Sequence, residues 1–133
     1  MNVKKLLLAT LGVGVVVNVV DFIVHGQIMA GTYSQMTSLF RQDASIVWLI
    51  IGDFVAALVL VFVYDRVYSS FGGGPKGGAT YGLYAGVLVN FPTWIFAHLL
   101  FVGFPYSLSW MWTIYGIVWT VIAGAVAGAM YKK

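Results

Sequence analysis

The residues in this chain with chemistry to offer are few, and they sit where such residues are costly. Asn18, Asp21 and His25 stand at i, i+3 and i+7 within one long apolar stretch. On a helix that spacing gathers them on one face. Asn90, Trp94 and His98, at i, i+4 and i+8, share a face in a later stretch. Asp53 belongs to another stretch, and Tyr115 and Trp119 to a fourth. A carboxylate beside an imidazole can move a proton or hold a cation. Inside a bilayer each ionisable group costs roughly 2.5–3.5 kcal/mol on insertion scales, so a cluster of them needs a reason.

The stretches that carry these residues are long enough to cross a membrane. The chain has 133 residues, 61% of them hydrophobic and only 8% charged, with a mean hydropathy of +0.93. Soluble domains carry about 25% charged residues, so this chain has too few to cover a water-facing surface. About 20 residues at 1.5 Å rise cross a hydrocarbon core of roughly 30 Å, and a helix satisfies its backbone polar groups internally. The pattern predicts an all-α membrane protein: a four-helix transmembrane bundle in a single domain over residues 1–133, with helices over 6–29, 45–64, 79–102 and 109–131. Lys4 and Lys5 give the first stretch the look of a signal peptide. Its apolar run exceeds the roughly 7–15 residues of a signal core and has no A-x-A cleavage site, so it reads as a retained helix.

Charge placement predicts orientation. Lys4, Lys5, Arg66, Lys76, Lys132 and Lys133 fall on one side and Arg41 alone on the other. Positive residues favour the cytoplasmic side, so both termini are expected there, in a multi-pass protein of the bacterial inner membrane. The net charge of +3 is a topology signal and implies no nucleic-acid partner. The absence of cysteine excludes disulfides, thiolate catalysis and iron–sulfur clusters. The glycine-rich segment 71–78 is expected to be a flexible cytoplasmic linker. It is no phosphate loop, because Lys76 follows Pro75 and neither Ser nor Thr follows Lys76.

The halves on either side of that linker, 1–70 and 79–133, resemble each other. Gly14-Val15-Val16-Val17-Asn18 matches Gly86-Val87-Leu88-Val89-Asn90, a histidine follows each, and Ser45-x-x-Trp48 matches Ser107-x-x-Trp110. A 2+2 pseudo-repeat of helical hairpins is therefore expected, with its axis along the membrane normal. In lipid, helices associate through close backbone packing. Gly78, Gly82 and Gly86 form one small-residue ridge, and Gly116, Thr120, Gly124 and Gly128 another. The two are expected to meet each other, or one of them a second copy of the chain.

Helical rise places Asp21 and Asp53 at similar depth, roughly 18–22 Å from the inner surface, with the asparagines just below and His25 and His98 near the outer rim. The expectation is one outward-facing cavity above an apolar inner half. Four uses of the cluster follow. The groups can be polar glue in a non-catalytic structural or accessory membrane component. They can form a small-ligand or ion site of Asn18, Asp21, His25, Asp53, Asn90, Trp94, His98 and Tyr115. His25 and His98 can ligate a divalent metal, or serve as the axial pair of a b-type haem. Catalysis is the weakest class, because no nucleophile stands in a recognisable motif. Outside the helices, Tyr33, Met36, Leu39 and Phe40 recur at helical spacing, so the stretch 31–44 is expected to be either a short amphipathic helix covering the cavity or an ordinary loop.

The Asn18-bearing first helix, Gly82-x-x-x-Gly86 and the Tyr115…Gly124…Gly128 ending make the layout similar to that of small bacterial four-helix membrane proteins of unknown function. That resemblance implies a bundle embedded in the lipid bilayer and no particular activity. A homo-oligomer or a larger membrane complex is compatible with it.

Overall fold

The computed structural model describes residues 2–41 and 43–132. It is helical, with no strand among the described residues. Four helices are long and apolar enough to cross a membrane: Val3–Ile28, Ile46–Phe71, Gly74–Leu100 and Tyr106–Met130. Helix α1 (Val3–Ile23) opens on Asn2, whose side chain accepts from the Lys5 amide and so satisfies one of the first unpaired N–H groups. It continues into a single π-helical turn, Val24–Ile28, where the Met29 amide bonds the Val24 carbonyl. A short helix α2 (Ala30–Ser34) follows. Helix α3 (Ile46–Phe71) is capped by the Ser45 side chain, α4 spans Gly74–Leu100, and α5 spans Tyr106–Met130.

Two boundaries differ from the sequence expectation. Helix α3 runs past Tyr64 to Phe71. Hydropathy falls at Asp65-Arg66, but polar side chains do not stop a helix. Gly72 does, with a φ of 76° that suits glycine alone. Helix α4 begins at Gly74, so most of the segment 71–78 is helix and only Gly72 and Gly73 separate α3 from α4. Pro75 suits that first turn, because the N–H it lacks would have no intrahelical partner there. Finally, of the helix and loop open for 31–44, the fold takes mostly the loop: only the short α2 is helical, and turns follow it.

The glycine ridges of α4 and α5 face each other. A Cβ added to Gly78 would lie 2.0 Å from the Gly124 carbonyl oxygen, and one on Gly82 2.1 Å from that of Thr120. From the other side, Gly124 would meet Gly78 and Gly128 would meet Gly74, each at 2.2 Å. Backbones touch here, as small residues permit in lipid. Gly86 abuts the Thr120 hydroxyl, and Gly116 leaves room for the Asn90 side chain. Helix α1 packs between α3 and α5, while α3 touches α4 and α5 more lightly.

The bundle is tight at one end and open at the other. At the tight end Lys5 Nζ donates to the Lys132 carbonyl at 2.8 Å. Tyr64 donates to the Gly72 carbonyl at 2.8 Å, and Tyr81 to that of Leu60 at 3.1 Å. Tyr131 packs on Tyr68 at 6.4 Å, so the start of α1 and the end of α5 lie beside the α3–α4 turn. Ala57, Leu60, Val61, Tyr64, Tyr81, Ala123, Ala127 and Tyr131 form the core there. At the far end the first turns of α3, from Ile46 to Ile51, are exposed.

Candidate functional site

The far end holds the polar cluster, centred on Asp21. Tyr115 donates its hydroxyl to Asp21 Oδ1, and Trp119 donates its indole N–H to Oδ2 at 3.2 Å. The carboxylate therefore bridges α1 and α5. It keeps acceptor capacity on both oxygens, since an ionised carboxylate offers about four lone-pair sites. Asp53, from α3, is close enough to Asp21 for the two carboxyl groups to interact.

His25 sits in the π-turn, its Nε2 3.9 Å from Asp21 Oδ1. That is ion-pair range but too long for a hydrogen bond. Its Nδ1 meets the Tyr33 hydroxyl, whose oxygen also accepts from the Trp112 indole N–H at 2.9 Å. Trp112 gives its proton to Tyr33, whose hydroxyl also has Met29 Sδ at 3.4 Å as an acceptor, so the direction of the bond between Tyr33 and His25 Nδ1 follows the His25 tautomer. Burial holds the Tyr33 hydroxyl above the ordinary tyrosine pKa, against the Trp112 hydrogen bond, which lowers it, and with a smaller push from the Asp21 charge. It therefore remains a donor at neutral pH. Phe40 packs on Tyr33 and Trp112 at centroid distances of 4.7 and 5.8 Å, so the loop after α2 folds over this end of the cluster.

Between α1, α4 and α5 lies a cavity of about 390 Å³. Asp21 and His25 line it from one side, Asn90 and Trp94 from the second, and Trp112, Tyr115 and Trp119 from the third. Trp94 and Trp112 meet edge to face at 4.5 Å. No Lys or Arg is among the lining residues. Five of the eight sequence candidates, Asp21, His25, Asn90, Trp94 and Tyr115, are thus brought together on one cavity. Asp53 stands against Asp21 without lining it.

The other two candidates are placed elsewhere. Asn18 donates to the Gly14 carbonyl at 2.8 Å, as Asn90 does to that of Gly86 at 3.0 Å. The two Gly-x-x-x-Asn segments therefore use the same local bond, although only Asn90 reaches the cavity. His98 Nδ1 lies 2.9 Å from the Phe104 carbonyl and its ring packs on Tyr106, so it fastens the α4–α5 turn. The segments Ser45-x-x-Trp48 and Ser107-x-x-Trp110 also differ in role. Ser45 caps α3, whereas Ser107 lies inside α5, which begins on Pro105 and Tyr106. Among the described residues no group of three or more His, Asp or Glu side chains is arranged to hold a metal ion.

Sequence reasoning passed over Trp112 and Tyr33 as site residues. Trp112, Tyr115 and Trp119 stand at i, i+3 and i+7, the same spacing as Asn18, Asp21 and His25. That shared period was the available signal. Tyr33 carried no signal, because only the fold of the loop brings it to His25. Asp65 was missed as well. At the tight end it is 2% exposed, accepts the Tyr131 hydroxyl and has Arg66 Nε 3.9 Å from its other oxygen. Burial, then the bond to Asp65, raise the Tyr131 pKa.

Compared with known proteins, the chain matches no family model, no curated protein and no solved structure.

Proposed function

We propose that this is an integral membrane protein that binds a small ligand in the cavity at Asp21, without catalysis. One observation carries the reading: a carboxylate held by Tyr115 and Trp119 opens onto a walled cavity instead of being sealed among side chains. Ligand sites are typically mostly apolar concavities with a few convergent polar groups, of roughly 300–1,000 Å³. The orientation read from charge, with termini and glycine-rich turn in the cytoplasm, directs the cavity outward, away from a bacterial cytoplasm. The equivalent bonds of Asn18 and Asn90 support descent of the two hairpins from a duplicated unit.

A second reading, an accessory component in which the cluster is polar glue, draws on the fact that both Asp21 oxygens already have protein partners. Native mass spectrometry in mild detergent, combined with thermal melting of Asp21→Asn, separates the two. A bound non-lipid mass that disappears in the variant while the melt is preserved supports the ligand site. An unliganded parent protein and a variant that melts as high or higher support the glue, since removing a buried charge saves its desolvation.

A further inference from the structure

Resting on the ligand-binding reading, we infer that the cavity at Asp21 takes a small organic cation, an amine or a quaternary ammonium group. The walls and the charge of the site both argue for this class. Trp94, Trp112, Tyr115 and Trp119 all line the cavity. The polar edges of three of these rings are already engaged, Trp112 to Tyr33, and Tyr115 and Trp119 to Asp21. What those rings have left for a ligand is their π surface, which attracts cations and repels anions. Aromatic walls around a carboxylate thus combine the two features that recognise an ammonium group.

Without a cation the charges balance only if a carboxyl takes up a proton. Asp21 and Asp53 bring two carboxyl groups together, and the single neighbouring base is His25. Even with His25 protonated, one carboxyl lacks a counter-charge, and no Lys or Arg lines the cavity to supply it. In a low-dielectric setting that carboxyl takes either a proton or a cation. A neutral ligand would leave the imbalance in place and an anion would deepen it. Tyr33 and Tyr115 are the other titratable groups facing the cluster, and α4 contributes only the non-titrating Asn90 and Trp94.

The ammonium group can come from a free amine or from a lipid headgroup, and the experiment separates these sources. The full chain, purified in a maltoside detergent, is titrated while its tryptophan fluorescence is followed. The probes are choline, ethanolamine, the neutral choline isostere 3,3-dimethylbutan-1-ol, and water-soluble dihexanoyl-phosphatidylcholine. The expected result is saturable quenching by a cationic probe, at least about tenfold tighter than by the neutral isostere. Affinity should fall by at least about tenfold in Asp21→Asn and in Trp94→Leu, two variants whose folding is checked by circular dichroism. If the lipid binds more tightly than choline, the source is a headgroup; if choline alone saturates, it is a free cation, and either supports the inference. Equal binding of the neutral isostere overturns the cation while leaving the small-ligand site standing. No saturable response to any probe overturns both.

Discussion

Two aspartates in this bundle have the same partner chemistry and opposite surroundings. Asp65 on α3 accepts the hydroxyl of Tyr131, and Asp21 on α1 accepts that of Tyr115. Asp65 is only 2% exposed, closed in by the tyrosine-rich core at the tight end. The Asp21 side chain is 23% exposed and faces the cavity. A tyrosine–aspartate bond by itself says nothing about function; the packing around it decides. Where the helices close, the pair locks the chain's end onto α3. Where they part, the same pair holds a carboxylate at the mouth of a space a ligand can enter.

The largest effect on this contrast should come from reopening the closed end. Gly78→Leu drives a side chain into the Gly124 backbone, which already lies 2.0 Å from an ideal Cβ. Overpacking against a backbone that cannot yield should cost about 3 kcal/mol or more, seen as loss of the folded monomer in detergent melts. Next come the two tyrosines. Tyr131→Phe takes one hydroxyl donor away from a buried carboxylate and should destabilise by about 1–3 kcal/mol. Tyr115→Phe should cost under about 1 kcal/mol, because water reaches Asp21 in its place. Equal costs in paired melts would erase the distinction between a closed and an open site.

A smaller effect concerns alkaline pH. Tyr131 and Tyr33 both have pKa values raised above the ordinary tyrosine value, chiefly by burial. The folded state therefore disfavours their phenolates. The stability they contribute is complete below the unfolded value of about 10 and is lost as pH rises beyond it. Melting temperatures should fall above about pH 10, and less so in Tyr131→Phe than in the parent, measured relative to each protein's neutral-pH value. Smallest of all, Tyr33→Phe should barely shift the melt. It removes the link from Trp112 to His25 and should loosen the loop after α2, read as faster amide exchange at Phe40.

Much of this architecture was legible from composition and spacing. Four apolar stretches yield four spans because lipid admits few alternatives to a helix for a lone segment. The ridges Gly78-Gly82-Gly86 and Gly116-Thr120-Gly124-Gly128 were visible as four-residue periods, and the fold sets them against each other. The Asn18, Asp21, His25 face was equally visible as a period. Hydropathy could not show that α3 continues to Phe71 or that α4 starts at Gly74, because helix ends depend on backbone geometry rather than apolarity.

The sequence by itself determined which residues each helix carries on each face, since a regular helix converts spacing into direction. The tertiary structure alone decided which faces meet. It set Asp21 against Tyr115 and Trp119, nearly a hundred residues away in the chain. It turned His98 to the α4–α5 turn, brought Tyr33 to His25 and enclosed Asp65. Those outcomes follow from how closely two backbones approach, and glycines set that distance by what they lack, leaving little in the local pattern to announce it.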